Sequence, residues 1–167
     1  MVERIDPHLA ADELTTLSQF LDYYRATLLI KVEGLTDDQA RFRGCPPSTL
    51  NLMGLVRHMA DVERSWFRRV LTGEEAAPIF YTMADIDADM HPSPSDTLDE
   101  AVSALITEIE VANRNVAGVP LDQLATLGRD EVYPSLRWIL VHMIEEYARH
   151  CGHADLLRES IDGTTGD

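Results

Sequence analysis

The stretch E-E-Y-A-R-H-C-G-H-A-D, residues 145–155, gathers groups able to bind a cation or move a proton. On a helix advancing about 100° per residue, Glu146, His150 and His153 fall within about 60° of one another, so one face carries a carboxylate and two imidazoles. Side chains four residues apart stand about 6 Å from each other, which lets Glu146 and His150 reach one ion. With His58 supplied by a facing helix, the set becomes two imidazoles and one carboxylate, three protein ligands with positions left open for water or substrate. The spacing alone also suits an internal His–Glu hydrogen bond or a solvated helix face. His153 lies about 10 Å along the axis from Glu146, too far to share its ion, and is expected at the pocket wall as a catalytic neighbour. Asp61, one turn after His58, is placed to orient that ring or to activate a water as base. Arg57, Arg64 and Arg68 form a basic stripe on the same helix, suited to a substrate carboxylate or, alternatively, to pairing with surplus acids. His142 and Trp138 read as packing residues.

The elements that must position these groups are helical. Leu14, Leu17, Leu21, Tyr24, Leu28 and Val32 recur at helical spacing and predict a first helix from about residue 10 to Glu33, ended by Gly34. T-D-D-Q at 36–39 is a capping-box pattern for a short turn. Ser48 or Thr49 can cap a second helix over about 50–72, where Leu52, Leu55, Met59, Val62, Trp66 and Val70 form an apolar stripe. No helical period persists from Gly73 to about Ser95, and H-P-S-P-S forbids regular helix there. A third helix is expected from about Thr97 to Ala117 and a fourth from Ser135 to about Arg158. Residues 1–160 read as one domain and 161–167 as a disordered tail.

Four amphipathic helices without a credible strand predict an all-α fold, a four-helix bundle with a long crossover connection between helices two and three. A crossover makes helices two and three parallel and helices two and four antiparallel. His58 lies about eight residues into helix two, so its level in an antiparallel helix four is near residue 150. A plain up-down bundle would bring His142 there instead. The topology thus selects His150, with ring nitrogens expected within about 4 Å of those of His58.

Lys and Arg number 14 against 29 Asp and Glu, a formal charge of −15, which repels phosphate backbones and anionic membranes. Nucleic acid and membrane partners are therefore not expected, and a small-molecule substrate is. M-V-E-R-I-D-P-H lacks a basic-then-apolar signal, and no apolar run approaches the roughly 18 residues of a span, so the expected location is cytoplasmic. Two cysteines, Cys45 and Cys151, are too few for a disulfide framework and suit a reducing compartment.

S-T-L-N-L-M-G-L-V-R-H-M-A-D-V-E-R-S-W-F at 48–67 and L-R-W-I-L-V-H-M-I-E-E-Y-A-R-H-C-G-H-A-D-L-L-R-E at 136–159 resemble the DinB superfamily. The closer resemblance is to its actinobacterial "mini-circle protein" branch. It implies a crossover four-helix bundle, often a homodimer, with a metal held between helices. The family pattern of one His on the second helix and His-x-x-x-His before G-Q on the last maps onto His58, Glu146 and His150, with Gly152-His153 at the G-Q position. Glu146 departs from that pattern, but the related mycothiol-dependent maleylpyruvate isomerases are similarly built on His, Glu and His with zinc. The resemblance therefore implies a divalent metal, zinc first with nickel or iron as alternatives, and thiol-dependent transferase or isomerase chemistry using mycothiol or a similar thiol. Metal-dependent hydrolysis, in which the metal activates water and Glu146 or Asp61 assists as catalytic base, and a non-catalytic, ligand-binding dimer are the competing expectations.

Overall fold

The computed structural model describes residues 3–166; Met1, Val2 and Asp167, the last part of the expected tail, lie outside the described residues. In chain order the elements are α1 (Glu13–Val32), the single turn α2 (Asp37–Ala40), α3 (Leu52–Glu63, continued by a π-helix at Arg64–Val70), a 3-10 turn at Ala88–Met90, α4 (Leu98–Val116) and α5 (Leu136–Asp162). Among the described residues there are isolated β-bridges but no strand. The all-α expectation holds, and no described helix is long and apolar enough to cross a membrane.

Side chains cap the helix starts and satisfy N–H groups that have no partner within the helix. Asp12 accepts from Thr15 N at 3.0 Å, Ser135 accepts from Trp138 N at 3.3 Å, and Thr36 with Gln39 forms both halves of a capping box. The cap of α3 is Asn51, not Ser48 or Thr49. Its amide Oδ1 accepts from Gly54 N at 2.8 Å while Nδ2 donates to Met90 O at 3.2 Å, so one side chain starts the helix and ties down the following connection. A hydroxyl is too short to do both. Helix α5 continues past Arg158 to Asp162, where Gly163 at φ 76° closes it in the left-handed conformation. Ile161, expected in the tail, packs on the core.

Contacts between side chains set the directions. Arg57 meets Asp96, Arg64 meets Glu108, and Asn115 meets the Phe67 carbonyl, so α3 and α4 advance together. His58 meets His150, Glu63 meets Tyr147, and Trp66 meets His142, so α3 and α5 run oppositely. Glu13 with Arg137 and Lys31 with Asp155 place α1 parallel to α5. The segment between α3 and α4 therefore travels the length of the bundle.

The π-helix changes which residues α3 buries. Met59, Glu63, Phe67 and Leu71 are buried at intervals of four, whereas Val62, Trp66 and Val70 are only partly covered. An interval of four overshoots an α-turn by about 40° at each step, and the wider π-turn removes that drift. At the centre, Arg25 Nε and Nη2 each donate to Glu63 at 2.7 Å, Arg25 Nη1 donates to Asn113 at 3.0 Å, and Tyr147 Oη donates to Glu63 at 2.8 Å. These four residues come one from each long helix, and their hydrogen bonds compensate a charge pair held out of water.

Candidate metal centre

His58 projects from α3, and Glu146 and His150 from α5, toward one point between the helices. One ligand atom from each of the three lies within 4.8 Å of the others. The two imidazole rings meet edge to face with centroids 4.9 Å apart, and His150 Nε2 stands 3.5 Å from Glu146 Oε2. Ligands on a tetrahedral ion with bonds of about 2.1 Å stand about 3.4 Å apart, so side-chain rotations of about an ångström would close the set. The register of two antiparallel helices brings His150, rather than His142, against His58.

The surroundings of the two histidines differ. His58 Nδ1 is 2.8 Å from Asp89 Oδ2, and Asp89 is 4% exposed in the 3-10 turn of the connection. Its other oxygen accepts from Met90 N at 2.8 Å, which fixes the carboxylate. A proton on Nδ1 is therefore satisfied by Asp89, which leaves Nε2 as the nitrogen available to an ion. Burial, helped by neighbouring His58 and His153, pushes the His150 imidazole down to about 4, so it is neutral near pH 7. Two imidazoles and a carboxylate fit a borderline divalent cation such as zinc, and nickel or iron bind the same donors. Cys151 is no competitor, because burial first and then Asp155 push its thiol up to about 12.

Other expected residues lie elsewhere in the arrangement. His153 touches the set through His150 alone, with Nδ1 atoms 3.4 Å apart. Asp61 neither orients His58 nor faces the centre. Its oxygens accept from Ile79 N at 2.6 Å and Phe80 N at 2.9 Å, and burial pushes its carboxyl up. It anchors the crossover connection, and Asp89 takes the orienting role expected of it. The arginine stripe is likewise engaged inside the protein. Arg57 binds Asp96 and donates to Ala88 O at 3.0 Å, while Arg64 donates to Ala77 O at 2.7 Å and to Glu108 at 2.6 Å. Arg68 shares Glu108 at 3.0 Å. These guanidiniums hold the connection and α4 against α3 and do not face the three ligand residues.

Sequence reasoning missed Asp89 and underrated His142. Asp89 sits in D-I-D-A-D-M among similar acids, and nothing local distinguishes it from Asp85 or Asp87. His142 stacks on Trp138 with centroids 5.0 Å apart and meets the Trp66 ring at 4.7 Å. Its Nε2 is 3.6 Å from Glu146 Oε1, so the two oxygens of Glu146 face two different histidines, and His142, Glu145 and Glu146 form a second, more open group.

Comparison with curated proteins gives no match. A family model described as mycothiol-S-transferase matches residues 16–163, from the first turns of α1 to the cap of α5, and so includes His58, Glu146 and His150. With an all-α fold and that match over most of its length, the chain belongs to the mycothiol-S-transferase family, within the DinB superfamily.

Proposed function

We propose that the protein is a metal-dependent thiol transferase that joins mycothiol, or a similar low-molecular-weight thiol, to a small electrophile. The observation that carries the reading is the approach of His58, Glu146 and His150 to within 4.8 Å from two helices, in a chain of this family. A divalent cation bound there, zinc first, lowers the pKa of a thiol enough to supply thiolate near neutral pH. His58 offers Nε2 because Asp89 takes the Nδ1 proton, and His150 offers a neutral ring because burial disfavours its charge. Glu146 contributes the anionic oxygen that favours a divalent ion over a proton. Three protein ligands leave a position for the sulphur. Isomerase chemistry would use the same thiolate, added to the substrate and then expelled. The unpaired thiols Cys45 and Cys151 support a reducing, cytoplasmic setting.

Hydrolysis is the weaker reading. It needs a carboxylate base, from Glu146 or Asp61, but the oxygens of Asp61 are already bound to Ile79 and Phe80, and Glu146 is taken here as a ligand to the ion. The test is metal analysis of protein purified without an affinity tag, followed by turnover of an electrophile with and without thiol. About one equivalent of metal and turnover that requires both metal and thiol are expected. A metal-free protein whose fold and thiol affinity do not respond to added zinc, nickel or iron would overturn the reading and leave a non-catalytic bundle.

A further inference from the structure

Toward the start of α5 lies a cavity of about 720 Å³, lined by Trp66 and Trp138 but by none of His58, Glu146 and His150. Its floor is the pair Trp66 and Trp138, with ring centroids 5.3 Å apart, and its wall is the loop carrying Leu124, Leu127, Val132 and Tyr133. Trp138 is 50% and Val132 72% exposed, a large apolar area for a protein of charge −15 to leave in water. The wall is built into the fold. Thr126 N and Leu127 N donate to Leu71 O and Val70 O at 3.1 and 3.0 Å, and Ala125 N donates to Pro134 O at 2.8 Å. At the tip, Arg129 and Val132 exchange backbone hydrogen bonds across Asp130 and Glu131, both at positive φ. Gly128 permits the fold-back, since a Cβ there would sit 2.4 Å from Val132 O.

We propose that this groove is the electrophile subsite and that it takes planar aromatic electrophiles of about two fused rings. For the reaction this rests on the transferase reading; for binding it does not. His142, which is not part of the lining, links the floor to the candidate centre: Trp138 stacks on it with an interplanar angle of 18°, and its Nε2 lies 3.6 Å from Glu146. Trp138 is eight residues before Glu146, about 12 Å along α5, so a flat molecule stacked on the open face of Trp138 lies about two helical turns from Glu146, and a long axis along α5 brings one end toward the candidate centre. Indole faces favour a stacked ring over a saturated chain. The volume is several times the about 150 Å³ that accommodates benzene, and it lies in the range of small-molecule sites. Among the lining residues Arg129 alone is charged, and it is spread into solvent beside Asp130. A polyhydroxylated thiol would lose its hydration there without replacement, which leaves the groove to the other reactant. For an aryl halide the step balances simply: the thiol sulphur forms the new carbon–sulphur bond, halide leaves with the carbon–halogen electron pair, and the thiol proton passes to solvent.

The test uses the full chain and a neutral naphthalene fluorophore, 6-propionyl-2-(dimethylamino)naphthalene, titrated with and without a chelator. Saturable one-to-one binding with a blue-shifted emission is expected under both conditions, displaced by naphthalene before decanol. Trp138→Ala should weaken it about tenfold or more, and Val132→Asp, at an exposed position that disturbs no core packing, should weaken it several-fold. His58→Asn should leave it unchanged, so a failed metal reading and a failed groove give different results. No saturable binding, insensitivity to both groove variants, preference for decanol, or exclusion of the probe by a dimer that Trp138→Ala dissociates would each overturn the assignment.

Discussion

Asp89→Asn probes the centre through a residue that no ion would touch. Asp89 receives two N–H groups, from His58 Nδ1 at 2.8 Å and Met90 N at 2.8 Å, one on each oxygen. Asparagine has the same shape but one acceptor. If its oxygen stays on Met90 N, its NH₂ faces His58 Nδ1, which must then be unprotonated, and the ring proton moves to Nε2, the nitrogen needed by the ion. If the amide flips to serve His58, a buried Met90 N–H faces an NH₂ group, at a cost of about 1–3 kcal/mol. Either outcome opposes binding. Losing an orienting carboxylate on a ligating histidine lowers metal affinity about 10–100-fold, or about 1.4–2.8 kcal/mol, and the amide conflict places this case toward the larger end. The assay is calorimetric zinc titration against a competing chelator, with helicity followed by circular dichroism. Unchanged zinc affinity in a folded Asp89→Asn protein would refute both the tautomer argument and the choice of His58 as ligand.

Glu146→Gln should lower zinc affinity and thiol-dependent turnover at least about tenfold with helicity retained, because it removes the anionic oxygen, whereas His142→Asn should leave the zinc affinity of the His58 centre nearly intact; titration of both beside the parent decides. Glu63→Gln should destabilise the fold by about 3 kcal/mol in urea unfolding, since it leaves the buried Arg25 guanidinium with only the exposed Asp22 carboxylate, at 3.0 Å, as counter-charge, and a loss below about 1 kcal/mol would remove the network from the stability account. The metal-free protein should become less stable on acidification. His150 is neutral in both states above its ordinary 6.5, but as the pH falls the unfolded chain takes up the proton while the folded one resists until about 4. Stability is therefore lost across that window, by about 3 kcal/mol, and His150→Gln in chelator should flatten the dependence of urea-derived stability on pH between 7 and 4.

The elements and the Glu146–His150 pair of the candidate centre were legible in the sequence because they are local. Periodic apolar residues and caps such as Thr36 with Gln39 act within a few residues, and the four-residue interval from Glu146 to His150 places two donors on one face of any helix. The length of the segment after Gly73 and the proline-rich H-P-S-P-S carried the topology one step further, to the pairing of His58 with His150. Other features depended on which charged groups the packing takes out of water. Asp89 and Asp61 are alike in sequence, yet one orients a histidine and the other holds two backbone amides, because the connection returns across α3 at one particular height. Arg25, Glu63 and Tyr147 carry no local sign of burial, and the arginines of α3 appear free until the acids of the connection and α4 are seen beside them. A helix needs only its neighbours in the chain to form, whereas the partner of a buried charge comes from another element and exists only once the helices have docked.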